Sequence, residues 1–218
     1  MRRGTQMEMD TEYSPAFDRE RAATYRLFSG LLLNEVTEQF LKQVAICPPI
    51  REGLLGEYLV SLESTDLETE RRELAADFAA LLLNMSAQPV MVYESVYTSP
   101  LHMMMQEPRD QVIAEYASRG FSVTPELKLP EDHISFELEF MGLLCDQEAN
   151  YQSECDAVSL ASCRMAEERF LRDHLLKWAF EFCDDLEKKA RTKFYKGLAE
   201  SLKQFLLLEM DDFGIEHI

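Results

Sequence analysis

Residues 129–150 read LPEDHISFELEFMGLLCDQEAN. Pro130 closes a loop, and Glu131 and Asp132 follow it, acidic residues that suit the positive end of a helix dipole. The pattern predicts one long helix from Glu131 to about Asn150. Upstream, Gly120 reads as the residue just past a helix end, and residues 121–130 carry two prolines, Pro125 and Pro130. That loop is the natural hinge between an N-terminal half, about 15–120, and a C-terminal half, 131–218.

Working outward, the helical pattern continues in both directions. Ser14-Pro15 has the form of an N-cap with proline at the first helical position, ahead of a helix through Tyr25, Phe28 and Leu32. Short helices follow around Phe40 and Val44, stopping at Pro48-Pro49, and from about Ile50 to Ser61. Thr65 with Glu68 reads as a capping box for a helix bearing Leu67, Leu74, Phe78, Leu81 and Leu82 on one face. Residues 85–99 break the pattern and suggest an extended, aromatic-bearing connection. Ser99-Pro100 then reads as the start of a helix through His102, Val112 and Tyr116. After the long helix come one from about Asp156 through Phe170, one spanning Asp173 to Ala190, and a last one capped by Thr192 with Phe194, Leu198, Leu202 and Phe205 on a stripe. The expected fold is all-α: a single helical-bundle domain of about ten helices in two halves, behind a disordered tail over residues 1–14.

Bulk composition narrows the function. Of 218 residues 46% are hydrophobic, enough for a packed core, and only 8 are glycine and 8 proline. The formal net charge of -18 repels phosphate, which argues against nucleic acid and anionic membranes as partners and favours a basic one. Arg2 and Arg3 lack the apolar run an export signal needs, and no apolar stretch approaches the ~20 residues of a membrane span, so the expected compartment is the cytoplasm. The five cysteines (Cys47, Cys145, Cys155, Cys163 and Cys183) include no Cys-x-x-Cys pair, so reduced, mostly buried thiols are expected, with no disulfide framework and no structural zinc.

Signatures of catalysis are missing. The chain has no His-Glu-x-x-His, no Glu-x-x-His pair, no phosphate loop, no Gly-x-Gly-x-x-Gly and no Gly-x-Ser-x-Gly. The reading is a protein that is not an enzyme and needs no cofactor or metal. The one cluster with chemical potential is Pro130-Glu131-Asp132-His133. Its His133 stands one turn before Glu137, a pairing expected to raise the imidazole's affinity for a proton.

The same cluster, Pro130-x-Asp132-His133 followed by Glu137-Leu138-Glu139-Phe140-Met141, closely resembles the signature of the TorD/DmsD family of redox-enzyme maturation chaperones. Tyr93-Glu94-Ser95-Val96-Tyr97 is similar to that family's segment before its middle helix, and Arg109 through Tyr116 to Gly120 resembles the helix leading to its hinge. Phe170, His174, Leu175 and Trp178 look like its Phe-Leu-x-x-His-Leu-x-x-Trp stretch. The likeness covers roughly residues 20–208. Where the family carries Glu-Tyr-x-x-Leu-Phe, this chain has Asp77-Phe78-x-x-Leu81-Leu82, and its single tryptophan is Trp178.

The resemblance implies a TorD-like fold and a cytoplasmic chaperone. It would bind the twin-arginine signal peptide, and the apo-form, of a molybdopterin oxidoreductase subunit until the cofactor is inserted. The residues it singles out for that contact are Tyr93, Ser95, Tyr97, Pro130, Glu131, Asp132, His133, Glu137, His174 and Trp178. Two alternatives stand beside it: an assembly factor that binds the enzyme body and ignores the leader, and weak nucleotide binding with GTP hydrolysis. A monomer with some domain-swapped dimer is expected. Charge patterning fits a basic leader: residues 126–168 hold eleven acids against Lys128 and Arg164, a net of −9, which suggests an acidic wall for the arginines. Met103, Met104 and Met105 are adjacent, so they cannot all face one core, and at least one is expected on the surface.

Overall fold

The computed structural model describes residues 14–46, 49–50 and 52–216. Among these it forms ten α-helices: α1 Pro15–Leu33, α2 Glu38–Ile46, α3 Gly53–Ser61, α4 Leu67–Leu81, α5 Glu94–Thr98, α6 Glu107–Ser118, α7 Ile134–Ser153, α8 Ala157–Asp173, α9 Ala179–Lys189 and α10 Lys193–Phe213. The only β-type pairing among the described residues is a single antiparallel bridge between Tyr93 and His133. The expected tail lies, apart from Ser14, outside the described residues, as does Cys47.

Helix ends follow local chemistry. The Ser14 hydroxyl accepts from the Phe17 amide at 3.3 Å with Pro15 behind it, and Thr192 caps α10 by accepting from Tyr195 N at 3.4 Å. Other ends differ from the sequence expectation. Asp66 rather than Thr65 caps α4, accepting from Glu68 N at 3.3 Å, while the Thr65 hydroxyl turns back to Ser61 O. The stretch read as extended up to Tyr97 coils at Glu94 into the short α5, because the Glu94 and Ser95 amides find acceptors on Asp132. Ser99-Pro100 opens no helix: it leads into a loop, and α6 begins at Glu107 with Pro108 inside its first turn. The 173–190 stretch is interrupted at His174 by a 3₁₀ turn, Leu175–Lys177, before α9.

Packing interleaves the two ends of the chain. α1 lies along α7, α3 against α10, and α8 and α9 flank α7 and α10. One apolar cluster runs from Tyr25 and Phe28 through Leu74, Phe140 and Phe170 to Leu198 and Leu202. Two glycines set the closest approaches. A Cβ at Gly142 would meet Ala22 O at 3.2 Å, and one at Gly197 would overlap the backbone of Leu55.

At the far end of α7 a buried arginine ties four helices together. Arg21 on α1 is 4% exposed, and its Nε and Nη2 donate to Glu209 on α10 at 2.9 and 2.6 Å. The same guanidinium pairs with Glu167 on α8 and lies 3.6 Å from Glu148 on α7. Tyr25 OH also donates to Glu209, at 2.9 Å, and Arg164 bridges Glu148 and Asp212 at 2.8 and 3.2 Å. The surplus of carboxyl over guanidinium groups has a consequence for protons. Burial, with Glu148 nearby, pushes Asp18 up to about 6, and burial pushes Glu167 well above the usual carboxylate range.

This arrangement corrects the expected acidic wall over 126–168. Glu131 pairs with Arg109, Glu139 and Asp146 with Arg26, Glu148 and Glu167 with the buried arginine, and Glu168 with Arg172. Asp132 and Asp156 accept backbone amides. Most of the segment's acids therefore have partners within the molecule; Glu126 and Glu154 are exposed. Among the described residues no helix is long and apolar enough to cross a membrane, and no cluster of His, Cys, Asp and Glu is disposed to hold a metal ion. Cys145, Cys163 and Cys183 are buried free thiols and Cys155 is an exposed one.

Candidate functional site

The ten residues singled out by resemblance come from three stretches of chain and meet in one place. The link is the bridge at Tyr93 and His133. Ile134 N donates to Val92 O at 2.9 Å, Glu94 N to Asp132 O at 2.9 Å, and Ser95 N to the Asp132 carboxylate at 2.9 Å. Asp132 is fully buried, and one of its oxygens, Oδ1, has no hydrogen-bond partner among the described residues. The Tyr93 ring stands edge-on to the His133 imidazole at 5.3 Å.

His133 has a different role from the one its neighbours suggested. It is the N-cap of α7, and its Nδ1 accepts from Ser135 N at 3.1 Å. An accepting Nδ1 must be unprotonated, and burial pushes the imidazole down to about 4. The expectation that Glu137 raises its proton affinity is overturned, because Glu137 turns the other way. Glu137 is fully buried and accepts from Trp178 Nε1 at 3.1 Å. Burial first, and the charge of Glu94 second, hold it well above the ordinary carboxylate range.

The third stretch completes the layer. His174 Nδ1 lies 3.0 Å from Glu94 Oε2, and its ring stacks on Phe170 at 5.0 Å. Tyr97 lies against Trp178 with ring centroids 5.3 Å apart, and its hydroxyl donates to Met91 O at 3.0 Å. Pro130 is buried at the loop's end, and Glu131 is part-buried beside it, paired with Arg109 at 2.5 Å. Tyr116 OH donates to Glu131 O at 3.2 Å.

Sequence reasoning overlooked Glu94, Gln106, Arg109 and Lys177. Glu94 is the most consequential of these, since it faces both His174 and Glu137. Its signal was an acid set between the aromatics Tyr93 and Tyr97, in the segment quoted for the resemblance, where only Tyr93, Ser95 and Tyr97 were singled out. A cleft of about 460 Å³ opens beside this layer, lined by Glu94, Ser99, Gln106, Glu107 and Lys177 among others. The layer can accept and donate hydrogen bonds and orient backbone, but it holds no nucleophile beside a general base.

Residues 45–184 match the model of the family described as nitrate reductase delta subunit. The chain belongs to that family. Relatives similar to it along most of their length include the Chaperone protein TorD of Psychrobacter sp. (strain PRwf-1), 28% identical over 85% of this chain and 88% of its own. Those of Photobacterium profundum and Vibrio cholerae serotype O1 carry the same name. The first is 27% identical over 89% of this chain and 94% of its own, the second 29% identical over 76% and 79%. All ten site residues except His174 and Trp178 fall in the interval 93–137, well inside the matched region, and those two fall just before its end.

Proposed function

We propose that this chain is a cytoplasmic chaperone for a molybdopterin oxidoreductase subunit. It binds the twin-arginine leader of the apo-enzyme, keeps it from export until the cofactor is in place, and then lets it go. Family membership and relatives named as TorD chaperones support the chaperone role. The observation that carries the finer reading is the meeting of Tyr93–Tyr97, Pro130–Glu137 and His174–Trp178 in one layer, at the edge of an open cleft. Arg109 paired with the part-exposed Glu131 resembles the contact a leader arginine would make, and an incoming guanidinium can take its place. Leader binding then needs no reorganisation of the fully buried Asp132 and Glu137.

The burial of the motif also favours a second reading: an assembly factor that grips the enzyme body and ignores the leader, with Asp132 and His133 serving only to fix the fold. Capture of a co-expressed apo-enzyme with and without its leader separates the two. The first reading expects capture to drop at least tenfold on leader removal. Equal capture of both forms would leave the second reading standing.

A further inference from the structure

Four consecutive residues between α5 and α6, His102-Met103-Met104-Met105, carry one imidazole and three thioethers. All four are exposed, the methionines at 58%, 42% and 61%. The backbone beneath them is fixed. His102 N donates to Ser99 O at 3.1 Å and Gln106 N to the Ser95 hydroxyl at 3.2 Å. The Gln106 side-chain amide donates to the carbonyls of Met104 and Met105 at 3.0 and 3.3 Å. His102 and Met105, at φ 49° and 61°, hold the left-handed conformation that L-residues other than glycine adopt rarely. Such strain persists where surrounding contacts over-determine it, and it collects at ligand sites.

The orientation of His102 decides what the loop can hold. Its Nδ1 lies 2.9 Å from Val96 O. A carbonyl only accepts, so Nδ1 carries the hydrogen and the neutral ring keeps its lone pair on Nε2. Nε2 has no hydrogen-bond partner among the described residues. Metal-ligating histidines almost always show this arrangement, with one ring N–H donated to an oxygen acceptor and the other nitrogen presented to the ion. Beside it stand three thioethers on unbranched, freely rotating chains. From His102 to Met105 the backbone spans at most about 11 Å even when extended. Two left-handed residues shorten that span, so the four donors lie within reach of a single ion.

We propose that His102, Met103, Met104 and Met105 bind a soft monovalent cation, Cu(I), through Nε2 and the three thioether sulfurs. The donor set selects the ion. Thioethers are soft ligands that favour Cu(I), whereas zinc takes thiolate, imidazole and carboxylate, and calcium and magnesium take oxygen. Binding is lone-pair donation alone. No electron is transferred and no proton is displaced, since Nε2 and the sulfurs are already unprotonated.

The test removes competing thiols first. Cys155 is exposed and Cys47 lies outside the described residues, so both are replaced by serine, while Cys145, Cys163 and Cys183 are buried. This full-length background chain is titrated with Cu(I) against a chromogenic chelator in the absence of oxygen. It is also titrated with Ag(I), a redox-inert stand-in, while the methionine methyl resonances are followed. A single equivalent is expected to bind and to move the methyls of Met103, Met104 and Met105. Those of Met85 and Met165, also exposed, should stay in place. Two variants are then compared: the triple Met103→Leu, Met104→Leu, Met105→Leu, which keeps the apolar bulk, and His102→Asn, which tolerates the left-handed backbone. Each is expected to melt with the background and to bind at least about tenfold more weakly. A large excess of zinc is expected not to displace the ion. Unchanged affinity in either variant, displacement by zinc, or Ag(I) shifts spread equally over Met85 and Met165 overturns the site. The methyl shifts of the background chain decide the matter even where a variant melts early.

Discussion

The amide of Ser95 donates to the carboxylate of Asp132 at 2.9 Å across 37 residues of chain, and Asp132 is fully buried. With the backbone bonds Glu94 N to Asp132 O and Ile134 N to Val92 O beside it, this contact fixes the start of α5 against the start of α7. Removing the acceptor strands a buried N–H, and hydrogen bonds to a charged group contribute about 1.5–3 kcal/mol. Asp132→Ala is therefore expected to destabilise the fold by about 2 kcal/mol in denaturant melts. His133→Ala, which removes the α7 cap, should cost about 1 kcal/mol. An unchanged midpoint in Asp132→Ala would mean that the carboxylate contributes nothing to this junction.

Stability should fall as pH rises above the ordinary carboxylate range. Glu137 and Glu167 are held above the carboxylate range when folded, so folding takes up protons; the stability they contribute is complete below about 4.5 and is lost as pH rises through their folded values. Asp18 acts in the same sense between 3.8 and about 6. His133 acts oppositely: its folded value of about 4 lies below 6.5, so its contribution fades as pH falls through that window. Urea melts at about pH 5, 6 and 7 should show midpoints that decline with pH, and Glu137→Gln should shallow the slope. A flat profile in the wild type would rule out carboxyls held above their ordinary range by burial.

The crossing of α3 and α10 leaves no room for a side chain at Gly197. Gly197→Ala would drive its methyl into the backbone of Leu55, and overpacking of this kind typically costs about 1–3 kcal/mol. Gly30→Ala, where nothing lies within 4 Å, is the control and should be neutral or slightly stabilising. Thermal melts of the two variants read the difference directly.

The loop 121–130 joins α6 to α7 through Gly120 at φ 71° and Lys128 at φ 53°. Our proposal that it is the hinge between two halves gives a prediction. Deleting two or three of its residues strains the closed form and should raise the fraction of domain-swapped dimer at high concentration. Size-exclusion chromatography after prolonged concentration reads this, and a pure monomer would end the hinge assignment.

Leader binding should depend only weakly on salt. Most carboxylates of 126–168 already have partners inside the molecule, so few remain for ionic strength to screen. Between low and moderately high salt the affinity should change by less than about tenfold, a step worth roughly 1.4 kcal/mol. A steeper dependence in titrations would point to an acidic face outside this segment.

The helices were legible in the sequence where a cap and an apolar stripe agreed, as at Ser14-Pro15 and Thr192, and the Leu74–Phe78–Leu81 stripe sufficed for α4 although its cap was misplaced by one residue. Legibility failed where tertiary partners overrode local signals. α5 forms because Asp132, far along the chain, receives its first amides. The motif residues were found by resemblance, but their roles were not. Spacing set His133 beside Glu137, whereas the cap at Ser135 and the indole of Trp178 draw the two apart. Charge along the chain also misled, because Glu139, Asp146, Glu148 and Glu167 on α7 and α8 meet arginines on α1 that a linear reading cannot place.

Arg21 reaches Glu209 across 188 residues, and its other acidic partners on α7 and α8 also lie far downstream. On a ribosome adding about 5–20 residues per second, α1 therefore waits about 10–40 s between its own emergence and that of α10. Through that interval Tyr25 and Phe28 lack Phe205, the ring on α10 against which both finally rest. A chain whose first helix is clasped by its seventh, eighth and tenth cannot complete itself from the N-terminus onward. Its closure is complete only once α10 has emerged, and until then it is itself an unfinished client.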